Sequence, residues 1–71
     1  MQEKTFAGRL RELRKQKGWS RYELAKKIGV APDTIRYWEE EINQPRIGRA
    51  KQLAKTFGVS VDYLSGNTDE I

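Results

Sequence analysis

Residues 19–39 read WSRYELAKKIGVAPDTIRYWE, and the way this stretch folds fixes the rest of the chain. Ser20 to Glu23 spells a reciprocal capping box: the Ser20 hydroxyl accepts from the Glu23 backbone N–H, and the Glu23 carboxylate accepts from the Ser20 N–H. Trp19 and Leu24 stand at the two positions of a hydrophobic staple around that cap. A helix is therefore predicted from Arg21, with Leu24, Ala25 and Ile28 facing inward and Gly29 as its left-handed stop. Only Val30 and Ala31 intervene before Pro32, which suits the first position of a further helix because its missing N–H has no intrahelical partner there. Asp33 favours the positive end of that helix. Ile35 and Trp38 give it a buried i, i+3 edge, with Ile42 as an extension of the cluster.

On the N-terminal side, Phe6, Leu10 and Leu13 fall at i, i+4 and i+7, one stripe of a helix capped by Thr5 and ending near Lys17 before Gly18. On the C-terminal side, Glu40 to Pro45 reads as a polar loop. Ile47, Ala50, Leu53, Ala54 and Phe57 then mark a fourth helix stopped by Gly58, and Ser60 caps a short fifth one through Leu64. Alternating apolar runs, internal repeats and low-complexity stretches are missing, so an all-α domain of five helices is expected over 1–66. Residues 67–71 read as a frayed tail or the start of a linker.

The 71 residues suffice for one domain with one core. Histidine and cysteine are absent, which removes imidazole and thiolate metal sites, disulfides, and His- or Cys-based nucleophilic triads. No metal, cofactor or small-molecule ligand is expected. An enzyme is a poor reading, because Glu39, Glu40 and Glu41 diverge on a helix and no cleft-forming length surrounds them. No apolar run approaches a membrane span and no signal-peptide core is present, so the expectation is a cytoplasmic protein without a membrane partner. The formal charge is +4, with nine bases and three acids in 1–30, one and four in 31–45, and four and three in 46–71. Two basic regions thus flank an acidic stretch, a pattern that favours an anionic partner.

Two short helices joined through Gly29 make a helix-turn-helix, in which the second helix enters the DNA major groove and the first crosses the backbone. Ala25 is small where the two helices cross, Gly29 reverses the chain four residues later, and Ile35 and Trp38 pin the second helix. From Leu10 to Leu64 the sequence resembles the helix-turn-helix family of phage lambda repressor and Cro proteins, often called the XRE family. The resemblance rests on Leu10-Arg11-Glu12-Leu13-Arg14, Gly18-Trp19-Ser20, Glu23-Leu24-Ala25, Ile28-Gly29-Val30, Thr34-Ile35, Trp38-Glu39, Pro45, Leu53-Ala54, Phe57-Gly58-Val59-Ser60 and Leu64. It implies a compact five-helix lambda-repressor-like domain. The function it implies is a prokaryotic or phage-encoded, nucleoid-associated transcriptional regulator, commonly a repressor, binding a two-fold symmetric DNA operator as a homodimer.

Position by position, the resemblance gives Pro32, Asp33, Arg36 and Tyr37 the task of meeting base edges. Arg36 can fork onto guanine O6 and N7, Asp33 can accept from cytosine N4, Tyr37 can bond a phosphate or pack on a thymine methyl, and Pro32 offers shape. Ser20 and Arg21, at a helix start, are candidate phosphate anchors; Asn43, Gln44 and Arg46 are their counterparts on the far side, with Arg49 and Lys51 able to extend the patch. Arg14 and Glu39 match a family salt bridge that orients the recognition helix. Trp19, Trp38, Phe57 and Ile47 read as core, while Val59, Val61 and Tyr63 are candidate self-contacts, the valines equally explained by packing. Three departures from the family pattern stand out. Ala31 replaces a capping Ser or Thr, Glu40 and Glu41 replace a basic residue and Gly, and Arg46 replaces a capping residue. The alternative function is an antitoxin-like or adaptor module whose recognition face meets protein, favoured by the acidic run Glu39 to Glu41.

Overall fold

Thr5 opens the first helix, α1 (Phe6–Gln16), by accepting from the Gly8 N–H at 3.1 Å, and the chain described by this computed structural model runs from that residue to Ile71. Residues 1–4, included in the expected domain, lie outside the described residues. Four more helices follow: α2 (Arg21–Ile28), α3 (Pro32–Glu39), α4 (Ile47–Phe57) and α5 (Val61–Leu64), with no strand among the described residues. The fold is the expected all-helical one.

The local signals act as anticipated. The capping box of α2 is closed on both sides, at 3.0 Å from Glu23 N to Ser20 Oγ and 2.8 Å from Ser20 N to Glu23 Oε1. Pro32 stands at the start of α3 behind Ala31, which supplies no side-chain cap. Ser60 caps α5 through the Tyr63 N–H at 2.9 Å.

All five described helices end in the same pair of hydrogen bonds, one reaching back five residues and one reaching back three or four, the pattern of a Schellman-type stop. At the end of α2, Val30 N and Gly29 N both donate to Ala25 O, at 3.0 and 2.8 Å, with Gly29 at φ 80. A Cβ added at Gly29 would meet nothing within 4 Å, so the demand for glycine there is conformational. At the end of α3 the corresponding left-handed position holds Glu41 at φ 60, the only non-glycine residue with positive φ among those described. Ile42 N donates to Tyr37 O at 2.9 Å and completes that stop.

The core comprises Leu10, Leu13, Leu24, Ala25, Ile28, Ile35, Trp38, Leu53, Ala54, Phe57, Tyr63 and Leu64. α2 packs on α3, α1 touches α3 and α5, and α4 touches α2 and α5. Trp19 packs from the rim, its ring 5.7 Å from that of Phe57 with Lys27 Nζ 4.6 Å from its centroid.

Three expectations are corrected. Ile42 and Ile47 were assigned to the core, yet they are 59% and 64% exposed, because they bracket the loop between α3 and α4 and turn away from the bundle. Tyr63, a candidate self-contact, is 5% exposed and therefore unavailable as one. It lies beneath the guanidinium of Arg9, 4.0 Å from its ring centroid.

Arg9 itself is 1% exposed and had no assigned role. Its Nη1 donates to Tyr63 O at 2.9 Å and Thr68 O at 2.7 Å, and its Nη2 pairs with Asp69 Oδ1 at 2.6 Å. Its Nε finds no acceptor among the described residues. Thr68 and Asp69, which the sequence assigns to the tail, are thus tied to α1.

Candidate nucleic-acid interface

α3 has two faces because its buried positions recur at helical spacing. Ile35, Trp38 and Glu39 are buried, whereas Pro32 and Asp33 are exposed and Arg36 and Tyr37 half-buried on the opposite side. The four residues assigned to base edges therefore share one outward face. The Arg36 guanidinium lies over the Tyr37 ring, 4.7 Å from its centroid. It also sits between two carboxylates, with Nε 3.6 Å from Asp33 Oδ1 and Nη1 3.4 Å from Glu40 Oε1. Those spacings, i−3 and i+4, are the ones that meet on a helix surface.

Behind that face, α3 is held by a buried carboxylate. The Glu39 side chain is fully buried and accepts from Arg14 Nε at 2.7 Å and Nη2 at 3.1 Å. Arg21 Nε, from the start of α2, donates to the same carboxylate at 3.0 Å. Arg14 also donates to Trp19 O at 2.9 Å, so α1, the turn before α2 and the end of α3 meet at one ion cluster. The expected Arg14–Glu39 pair is present, and Arg21 is an additional member that sequence reasoning assigned only to phosphate. Arg21 Nη1 lies 3.9 Å from Glu40, which links the buried cluster to the outward one.

Ser20 and Arg21 stand at the N-terminus of α2, an end suited to anions. The Ser20 N–H and hydroxyl are already engaged with Glu23, which leaves the Arg21 backbone N–H as the donor at this helix end. The Ser20 backbone N–H, foremost, and then its hydroxyl hold the Glu23 carboxyl below its ordinary range; Lys27 adds to this and burial opposes it. Across α3, Asn43, Gln44 and Arg46 are exposed in the loop and at the N-cap of α4. Arg46 makes no side-chain cap bond and no ion pair among the described residues. Arg49, able to extend that patch, also reaches inward. Its Nη1 donates to Ile28 O at 2.8 Å, and Gln52 donates to the same carbonyl at 3.1 Å, closing the end of α2 from α4.

No described group of acidic residues is arranged to hold a metal ion, and no described helix is long and apolar enough to cross a membrane.

Comparison with known proteins gives a consistent answer. The chain is 38% identical over 65 residues to the uncharacterized HTH-type transcriptional regulator YobD of Bacillus subtilis (strain 168), covering 92% of this chain and 58% of that protein. It is 36% identical over 62 residues to an uncharacterized HTH-type transcriptional regulator of Archaeoglobus fulgidus, covering 87% of this chain and 89% of that one. It is 28% identical over 64 residues to the cryptic phage CTXphi transcriptional repressor RstR of Vibrio cholerae, covering 90% and 58%. The chain thus spans little more than half the length of two of these three relatives. No solved structure matches it significantly. The helix-turn-helix family model matches residues 10–64, an interval that contains α2, α3 and the whole ion cluster. The chain belongs to the helix-turn-helix family.

Proposed function

We propose that this protein is a sequence-specific DNA-binding transcriptional regulator, a repressor that acts in the cytoplasm on a two-fold symmetric operator as a homodimer. The observation that carries this reading is the two-faced α3, locked from behind through Glu39 and presenting Arg36 and Tyr37 outward with Pro32 and Asp33. A helix fixed in this way inserts as a rigid body into the major groove, which is about 12 Å wide. Arg36 and Tyr37 meet base edges, with Pro32 and Asp33 alongside them. Ser20 and Arg21 contact phosphates on one side of the groove, and Asn43, Gln44 and Arg46 on the other. One recognition helix reads a short half-site, so a second copy one helical turn away supplies the remaining affinity. The relative RstR, named as a repressor, supports the sign of regulation.

The protein-adaptor alternative drew on the acidic run Glu39 to Glu41. That support is weakened by the burial of Glu39 and the pairing of Glu40 with Arg21 and Arg36.

Binding-site selection from random duplex DNA tests the proposal. A two-fold symmetric consensus is expected, with log affinity falling against log salt at a slope of about −4 to −5 for ~5 neutralised phosphates. Arg36→Ala should relax the preference at one base pair per half-site. An Arg36→Ala variant with unchanged preference, or binding indifferent to salt, would refute the assignment.

A further inference from the structure

We infer that Asp33 and Glu40 are specificity-determining residues, acting by clamping Arg36 and screening it from phosphate; the inference rests on the DNA-binding reading above. The two carboxylates approach the guanidinium at Nε and Nη1, 3.6 and 3.4 Å away, while the Tyr37 ring lies 4.7 Å from its carbon. Nη2 keeps no partner among the described residues. The side chain most able to read a guanine is therefore bracketed from three directions before any DNA arrives.

Two consequences follow from elementary electrostatics. First, a guanidinium whose rotamer is already restricted loses less conformational freedom on meeting the guanine acceptors, so the preorganised geometry favours base readout. Second, the Arg36 cation sits between two anions, so its positive charge is offset before DNA arrives. A phosphate, carrying a full negative charge, gains little from that arrangement, whereas the neutral O6 and N7 edge of a guanine, bound through hydrogen bonds, loses far less. Both effects widen the gap between the cognate site and random DNA, and the second does so by disfavouring the competitor. Asp33 on this view works through Arg36 as a positioning residue. Glu40 has a further connection, since Arg21 at the phosphate-facing end of α2 lies 3.9 Å from it. Glu41 is the internal control: it is exposed on the same end of α3 and carries the same charge, but makes no side-chain ion pair among the described residues.

The test measures binding of the 71-residue chain and its Asp33→Asn, Glu40→Gln, Glu41→Gln and Arg36→Ala variants. The probes are the duplex recovered by selection from random DNA, the same duplex with the Arg36-dependent base pair replaced, and a scrambled duplex. Each of the three acid neutralisations should raise affinity for scrambled DNA about threefold, the factor for one charge ~7 Å from a phosphate in a water-like dielectric. Only Asp33→Asn and Glu40→Gln should also lower the ratio between the selected and the base-replaced duplex, by roughly fivefold for a freed side chain. If both leave that ratio where Glu41→Gln leaves it, the clamp is overturned while the DNA reading stands. If Arg36→Ala itself leaves the ratio unchanged, the underlying DNA reading fails.

Discussion

Neutralising Glu39 while keeping its shape is the perturbation that bears most directly on the architecture of the interface. In Glu39→Gln, a fully buried carboxylate that accepts two bonds from Arg14 and one from Arg21 becomes an amide, leaving Arg14 without its counter-charge and Arg21 with Glu40 alone. Removing one partner of a buried pair costs about 3–5 kcal/mol. The lower end applies here, because Arg21 is 36% exposed and can rehydrate, while Arg14, 11% exposed, keeps the Trp19 carbonyl. A domain of this length is stabilised by about 4–10 kcal/mol in total. A loss near 3 kcal/mol should therefore lower Tm by ~10–20 °C, read as helical circular dichroism against temperature. Arg14→Met and Glu39→Met should each cost a similar amount, yet the double variant Arg14→Met/Glu39→Met should recover most of it, since an apolar pair of comparable volume removes the desolvation penalty together with the attraction. Purely additive costs in that double-mutant cycle would refute the account of Glu39 as the counter-charge of Arg14. The recovered double variant should still bind DNA poorly, because α3 then lacks its directional link to α1 and α2.

Glu41→Gly removes a side chain from a left-handed backbone position and is expected to stabilise the fold by ~1 kcal/mol, visible as a rise of several degrees in Tm; no change would mean that Glu41 is not strained. Arg9→Met deletes the donors that reach Tyr63, Thr68 and Asp69, so hydrogen exchange should speed up at 66–70 before the rest of the domain opens. The Glu23 carboxyl is held below its ordinary value of 4.5, so its contribution to α2 is complete above that pH and is lost as acid protonates the folded form. The amide protons at the start of α2 should then lose protection on acidification, and Glu23→Gln should abolish the pH dependence. Arg46→Ala should reduce the salt slope of DNA binding by about 1, whereas Arg21→Ala, whose charge is already balanced by Glu39 and Glu40, should weaken all sequences alike with a smaller change in slope.

Local chemistry explains how far the sequence was legible. The Ser20–Glu23 box, Gly29 and Pro32 act within a few residues of themselves, so the bounds of α2 and α3 followed from spacing alone. The buried edge of α3, Ile35 and Trp38, followed in the same way, whereas its outward residues Pro32, Asp33, Arg36 and Tyr37 were implied by the family resemblance. Arg9 gave no such signal: its burial depends on Tyr63 and residues 68–69, more than fifty positions away, and a cation beside the stripe Phe6, Leu10 and Leu13 reads as a boundary residue. Ile42 and Ile47 misled for the opposite reason. Their apolar character fitted a continuing stripe, but the Schellman stop at Glu41 rotates the chain away from the core. The Asp33 and Glu40 spacing around Arg36 was visible in the sequence, whereas their approach to one guanidinium is set by side-chain rotamers that spacing does not specify.

Taken along the surface, the paired groups form one alternating series, Arg14–Glu39–Arg21–Glu40–Arg36–Asp33, with equal numbers of cations and anions. The region nearest the expected groove is thus close to neutral, although the chain as a whole carries +4. Cations held in such a series are stiff and directional, which suits base readout, but they add little to the long-range attraction that draws a protein to any duplex. That attraction must come from cations outside the series, Arg46 among them. On the proposed DNA-binding reading, a face that trades general affinity for discrimination should bind weakly as a single copy, and a second copy on a symmetric site would supply the missing affinity, which a comparison of binding to a half-site and to the full selected site checks.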